Sequence, residues 1–204
     1  MIGLGFRVKS GYAIAVVLTG SRQAPVALAR RVVELSDPEV AETRQPYHDG
    51  FGKEQDDVRE IDRRIRIIRR CATRAIASFV RDIGQDGLGA AGLVVGSVID
   101  PRQVANPHIR AHASEGRLFR TVVEDALRAH GVSCTIIVDK HLATTAATEL
   151  RCGERAIKQT IGEIGRTIGG SWRADDKAAA LAAWLALAER RSGERSPQRD
   201  SPRA

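Results

Sequence analysis

The chain has 204 residues, 43% apolar and 28% charged, enough for one α/β domain with a real core and a tail. Its 32 basic against 25 acidic residues give a formal charge of +7, which suits nucleic acid or another anionic partner. Aromatic residues make up only 4%, which argues against base stacking as the main binding device, and no run of about eighteen apolar residues is present to cross a membrane.

The opening carries no basic segment followed by a cleavable apolar stretch. Cys71, Cys134 and Cys152 show no CxxC spacing, so they read as reduced, mostly buried thiols. A cytoplasmic protein with no membrane partner is the expectation.

The stretch "GLGF" leads into "YAIAVVL" (12–18), an apolar run of strand length, with Arg7 and Lys9 between them. "SRQAP" makes a turn, and "VALARRVVEL" (26–35) alternates as a third strand. "SDPEVAETRQPYHDGFG" is irregular, with two prolines and a cluster of turn formers at its end. From Lys53 to Ile83 the pattern is helical, with Ile61, Ile65, Ile68, Ala72, Ile76 and Phe79 on one stripe and Gly84 closing it. Arg63, Arg66, Arg70 and Arg74 follow at three- and four-residue spacing, a basic edge that is either simply solvated or tracks phosphates.

"GLVVGSVID" (92–100) reads as a central parallel strand, and "EGRLFRTVVEDALRAHG" as a helix with Leu118, Val122, Val123, Ala126 and Leu127 inward. "SCTIIVD" (133–139) reads as a second buried strand, which completes a parallel crossover. "TAATELRC" and "GERAIKQTIGEIGRTIGG" are helical pieces interrupted by glycines, the latter a loosened helix pair. "DDKAAALAAWLALAERR" is the last helix, with Asp175 as a natural N-cap and Trp184 and Leu187 seating it on the sheet. The expectation is one domain over 1–190 and a disordered Arg-, Ser- and Pro-rich tail over 191–204. Three antiparallel strands, a helix, then alternating strand and helix is a ribonuclease-H-like order: a mixed sheet of three antiparallel and two parallel strands flanked by helices. A flavodoxin-like sheet is the competitor, and the opening hairpins argue against it.

Four stretches in this order carry a family resemblance: "GLGFRVKSGYAIAV", "VVGSVIDP", "VDKHLATTAATE" and "ADDKAAALAAWLAL". Together they resemble the YqgF-like branch of the RuvC group, known as Holliday-junction resolvases and pre-ribosomal-RNA nucleases. The resemblance implies a site of carboxylates from the first strand, the end of the fifth strand and the last helix, holding two divalent metals about 4 Å apart. Carried over by position, those acids fall on Gly5, Lys140 and Ala179, so all three have changed. Asp176 lies one helical turn before Ala179.

The expectation is therefore a retired nuclease: no cofactor, and binding of structured nucleic acid or a protein partner through the old substrate face. Arg7, Lys9, Arg63, Arg66, Arg70 and Lys140 are the candidate contacts. The alternative is a divergent nuclease using Asp100, Asp139 and Asp176 with magnesium or manganese, Asp139 and Asp176 being the candidate metal ligands. A purely protein-protein role through the apolar last helix is a third reading. His108 and His112 sit four apart, but the proline and glycine in "NPHIRAHASEG" argue against a helix and no third ligand is evident, so no zinc site is expected there.

Overall fold

The computed structural model describes residues 1–50, 53–84 and 87–189; the expected tail and the end of the expected last helix lie outside these residues. Three antiparallel strands open the chain: β1 (Ile2–Val8), β2 (Tyr12–Gly20) and β3 (Pro25–Glu34). Gly11, at φ +85°, lets the first hairpin turn within a few residues, and the Lys9 N–H donates to the Tyr12 carbonyl at 2.9 Å. The Gly11 carbonyl accepts from the N–H of Leu35, which ties the chain leaving β3 back to this hairpin.

Two short strands, β4 (His48–Asp49) and β5 (Lys53–Glu54), pair as a separate hairpin. They take the first residues of the expected helix, so it starts late: α1 runs Val58–Ile83, begun by the Asp57 side chain accepting from the Arg59 and Glu60 N–H groups. The strand β6 (Leu88–Val95) pairs parallel with β1. It starts four residues before the expected strand and ends at Val95, because "GSVID" is an exposed loop, not strand. The next helix, α2 (Pro107–Arg128), is longer than expected. Asn106 caps it by accepting from the Ile109 N–H, and Pro107 occupies the first helical position, where no N–H is needed.

The last strand, β7 (Ser133–Val138), pairs parallel with β6 and gives the sheet order β3-β2-β1-β6-β7. It is an edge strand with only Ile137 fully buried, not the covered strand expected. Three helices follow: α3 (Asp139–Leu150), α4 (Glu154–Ile168) and α5 (Ala174–Ala188). The glycine-rich stretch is one helix, not a pair; Gly165 lies where Trp172 crosses it, and a Cβ there would meet the indole at 2.5 Å.

The sheet separates two apolar layers. Leu4, Phe6, Val17, Leu93, Ile76 and Phe119 join α1 and α2 on one face. Ile14, Val16, Val94, Ile161 and Trp184 join α3, α4 and α5 on the other. The helix α5 is buried from Ala179 to Leu187, so its alanines let it sit on the β1 backbone. A Cβ on Gly5 would lie 1.9 Å from the Ala179 carbonyl, which leaves glycine as the residue that fits. Among the described residues no helix is long and apolar enough to cross a membrane.

Candidate functional site

Because β1, β6 and β7 run parallel, their carboxyl ends share one edge, where open α/β sheets place their ligands. Alternation along β1 sends Leu4 and Phe6 into the α1 layer and turns Gly3, Gly5 and Arg7 toward α5. Gly5 lies deep under the helix. Arg7, one step from the strand end, is the residue that reaches the acids. Its Nη2 donates to Asp139 at 2.9 Å and its Nε to Asp175 at 3.2 Å. Lys9 Nζ stands 3.5 Å from the same Asp175 oxygen. Three elements, β1, α3 and α5, thus meet around one arginine that is 8% exposed, with its Nη1 buried and unpartnered among the described residues.

The other candidate acids are engaged as well. Asp176 is 2% exposed; one oxygen accepts from Arg30 Nε at 2.7 Å and the other from the Arg173 N–H at 2.8 Å, closing the first turn of α5. Arg173 is the N-cap residue, not Asp175. Asp100 accepts from the Arg102 guanidinium at 2.6 Å and from its N–H at 3.1 Å, which holds the carboxyl at about 2. Asp100, Asp139 and Asp176 are thus each held by a different arginine, and no carboxylate group converges as a metal site among the described residues. A pair of divalent ions needs open, hard carboxylate oxygens, whereas here Arg7 and Lys9 already neutralise Asp139 and Asp175. The donor set does not fit a two-metal centre.

The expected basic contacts divide. Arg7 is enclosed, and Lys9 is half-buried in its pair. Arg63 is exposed but forks onto Glu60, both bonds at 2.8 Å. Arg66, Arg70 and Lys140 are exposed and make no ion pair among the described residues. Lys140 does not reach the acids; the neutralising charge comes from β1 instead.

On the opposite face of the sheet, at the same edge, the structure gathers residues the sequence reading set aside. The proline and glycine do not break α2, so His108 and His112 share one helix face, and Glu115 lies one turn on. The β4–β5 hairpin brings His48 against them. Each of the three histidines offers a ring nitrogen, and these nitrogens lie within 4.8 Å of one another; His108 Nε2 and His112 Nε2 are 3.3 Å apart. His48 Nδ1 donates to Glu115 Oε1 at 2.7 Å, and His112 Nδ1 stands 3.5 Å from the other oxygen. Burial pushes the Glu115 carboxyl up from its usual value, opposed in part by His48. The hairpin is clamped from both sides: Arg64 of α1 donates to the His48 carbonyl at 2.9 Å, and Arg110 of α2 to Glu54 at 2.9 Å. The sequence signal was present in His-x3-His-x2-Glu after an Asn-Pro helix start, but its third histidine lies sixty residues upstream in an irregular segment.

The three-strand opening, the parallel pair and a last helix buried across the first strand decide the architecture. The chain has a RuvC-like ribonuclease-H fold. Over 91% of its length it is similar to Thermus thermophilus RuvC in complex with a Holliday junction substrate, covering 91% of that chain at TM-score 0.55 and 12% identity. A second Thermus thermophilus RuvC structure aligns over 91% of this chain and 92% of its own, at TM-score 0.51 and 14% identity. The yeast mitochondrial Holliday junction resolvase Ydc2 aligns over 91% and 78%, at TM-score 0.51 and 10% identity. No protein-family model and no curated protein matches the chain. Within the RuvC-like fold, the edge of the sheet carries the Arg7 cluster on the α5 face and the histidine cluster on the α2 face.

Proposed function

We propose that this RuvC-like chain is a non-catalytic protein that holds structured nucleic acid at the carboxyl edge of its sheet. One observation carries this reading: a buried guanidinium, Arg7, stands between Asp139 and Asp175 where a nuclease of this fold needs open acids. The likeness to a RuvC bound to a Holliday junction supports a branched duplex as the nucleic acid. The contacts are assigned to Lys140, Arg66 and Arg70, exposed cations not held by acids among the described residues, with Arg63 and Lys9 able to exchange a carboxylate for a phosphate. Asp100, Asp139 and Asp176 are each held by an arginine, which weighs against cutting through them.

The test is fluorescence anisotropy with a labelled four-way DNA junction and a folded RNA at about 50 and about 200 mM salt. Junction binding that weakens steeply with salt is expected, and Lys140→Glu and Arg70→Glu each lower the salt slope by about one or more. Tighter binding to the RNA would replace the substrate; binding to neither would end the nucleic-acid reading and leave a protein partner.

A further inference from the structure

We propose that His48, His108 and His112 form a site for a zinc-class transition-metal ion, with Glu115 orienting the buried ligand. Three imidazoles from two distant segments converge on one point at the sheet edge. The 3.3 Å between His108 Nε2 and His112 Nε2 is the separation of two ligands on a tetrahedral zinc, roughly 3.3–3.4 Å for Zn–N bonds of about 2.0–2.1 Å. His48 completes the set from the β4–β5 hairpin. Its ring is buried, its Nδ1 is taken by Glu115, and its Nε2 is buried without a hydrogen-bond partner among the described residues. A buried ring nitrogen left without a donor or acceptor is costly, and a cation relieves that cost.

The surroundings have the form of a built metal site. A carboxylate on the far nitrogen of a ligating histidine fixes the proton on Nδ1 and frees Nε2 for the metal. Glu115 does this for His48, and lies within ion-pair distance of His112 Nδ1. Arg64 and Arg110 hold the hairpin against α2, so His48 is positioned before any ion arrives. Imidazole nitrogens select zinc, copper, nickel or cobalt over magnesium and calcium, which want oxygen. His108 and His112 are exposed, so the fourth corner of the tetrahedron opens to solvent. The bound ion staples the irregular segment after β3 to the start of α2. The site uses no residue of the Arg7 cluster, so its test stands apart from that of nucleic-acid binding.

Zinc titrated calorimetrically into the chelator-treated full chain should bind with one ion per chain and a Kd below about 1 µM, while magnesium does not bind. Cobalt at the same site should give the strong visible absorption of a tetrahedral complex. His108→Ala and His112→Ala, both at the surface and expected to keep the fold by circular dichroism, should lose at least about a hundredfold in affinity. Glu115→Gln should lose about 10- to 100-fold, and His130→Ala none. Absence of stoichiometric zinc binding, or an unchanged Kd in His108→Ala, would overturn the site.

Discussion

Arg7 is the residue on which the reading of the sheet edge turns. Two carboxylates from separate helices share its guanidinium, so removing it leaves Asp139 and Asp175 repelling each other beside a hole. The acids are about half and one-third exposed while the arginine is enclosed, so the cost falls between that of a surface pair and a buried one. Arg7→Ala should therefore lose about 2 kcal/mol in urea unfolding, and a loss below about 0.5 kcal/mol would show the cluster to be idle. Asp176 looked like a catalytic candidate by its place near the family's last-helix acid, but its oxygens hold Arg30 and the first turn of α5. The exposed acids respond to pH in a defined direction. Asp100, held by Arg102, and Glu60, held first by Arg63 and then by Arg64, are both lowered to about 2. A depressed carboxyl contributes stability that is present above its unfolded value near 4 and is lost as pH falls through about 2. Carboxyl-carbon NMR should place both midpoints near pH 2, and Arg102→Ala should return Asp100 toward 3.8. That Gly5, Lys140 and Ala179 stand where the family resemblance implies acids is read from position alone. That Arg7 pairs with Asp139 and Asp175 was not legible, because a strand sequence does not say which acids lie across its end.

Residues of the irregular stretch after β3 are tied to two helices, Pro46 and His48 by α1 and Glu54 by α2. Arg64 sits on the buried face of α1 and donates to the carbonyls of Pro46 and His48, at 3.3 and 2.9 Å. Arg64→Ala strands those carbonyls and frees Glu60 of one partner, so it should cost about 2–3 kcal/mol and speed amide exchange at His48 and Gln55; an unchanged melt would contradict the clamp. Sequence periodicity found the stripe of α1 and the exposed arginines beside it, yet passed over Arg64, since a charge on an apolar face breaks the pattern that defines the face. The start of α2 was missed for a related reason. Proline and glycine were weighed as breakers, whereas Pro107 after Asn106 is a helix opening, and Gly116 costs little in a helix otherwise well packed. With that start misplaced, His108 and His112 could not be seen on one face. By contrast, β1, β2, β3 and the core of α5 were legible from apolar runs and alanine content, because their packing is set by local pattern.

The sheet divides the chain into two layers that meet at one edge, and each layer brings its own charged cluster there. On the α5 side an arginine and a lysine neutralise two acids; on the α2 side three histidines converge over a buried glutamate. The proposed function rests on this edge of the RuvC-like frame, where the acids are paired with arginines and a lysine. The long-range arrangement was legible as an order of elements, while the face on which each cluster lies depends on the register of β1 and the start of α2. The most direct measurement is a gel assay of a labelled four-way junction incubated with the full chain in magnesium and then in manganese, beside Asp139→Asn. Asp139 is the informative position because it is exposed at the edge, unlike the buried Asp176. The expected result is a shifted, intact junction with both proteins. Cleavage by the wild-type chain, lost in Asp139→Asn, would contradict it.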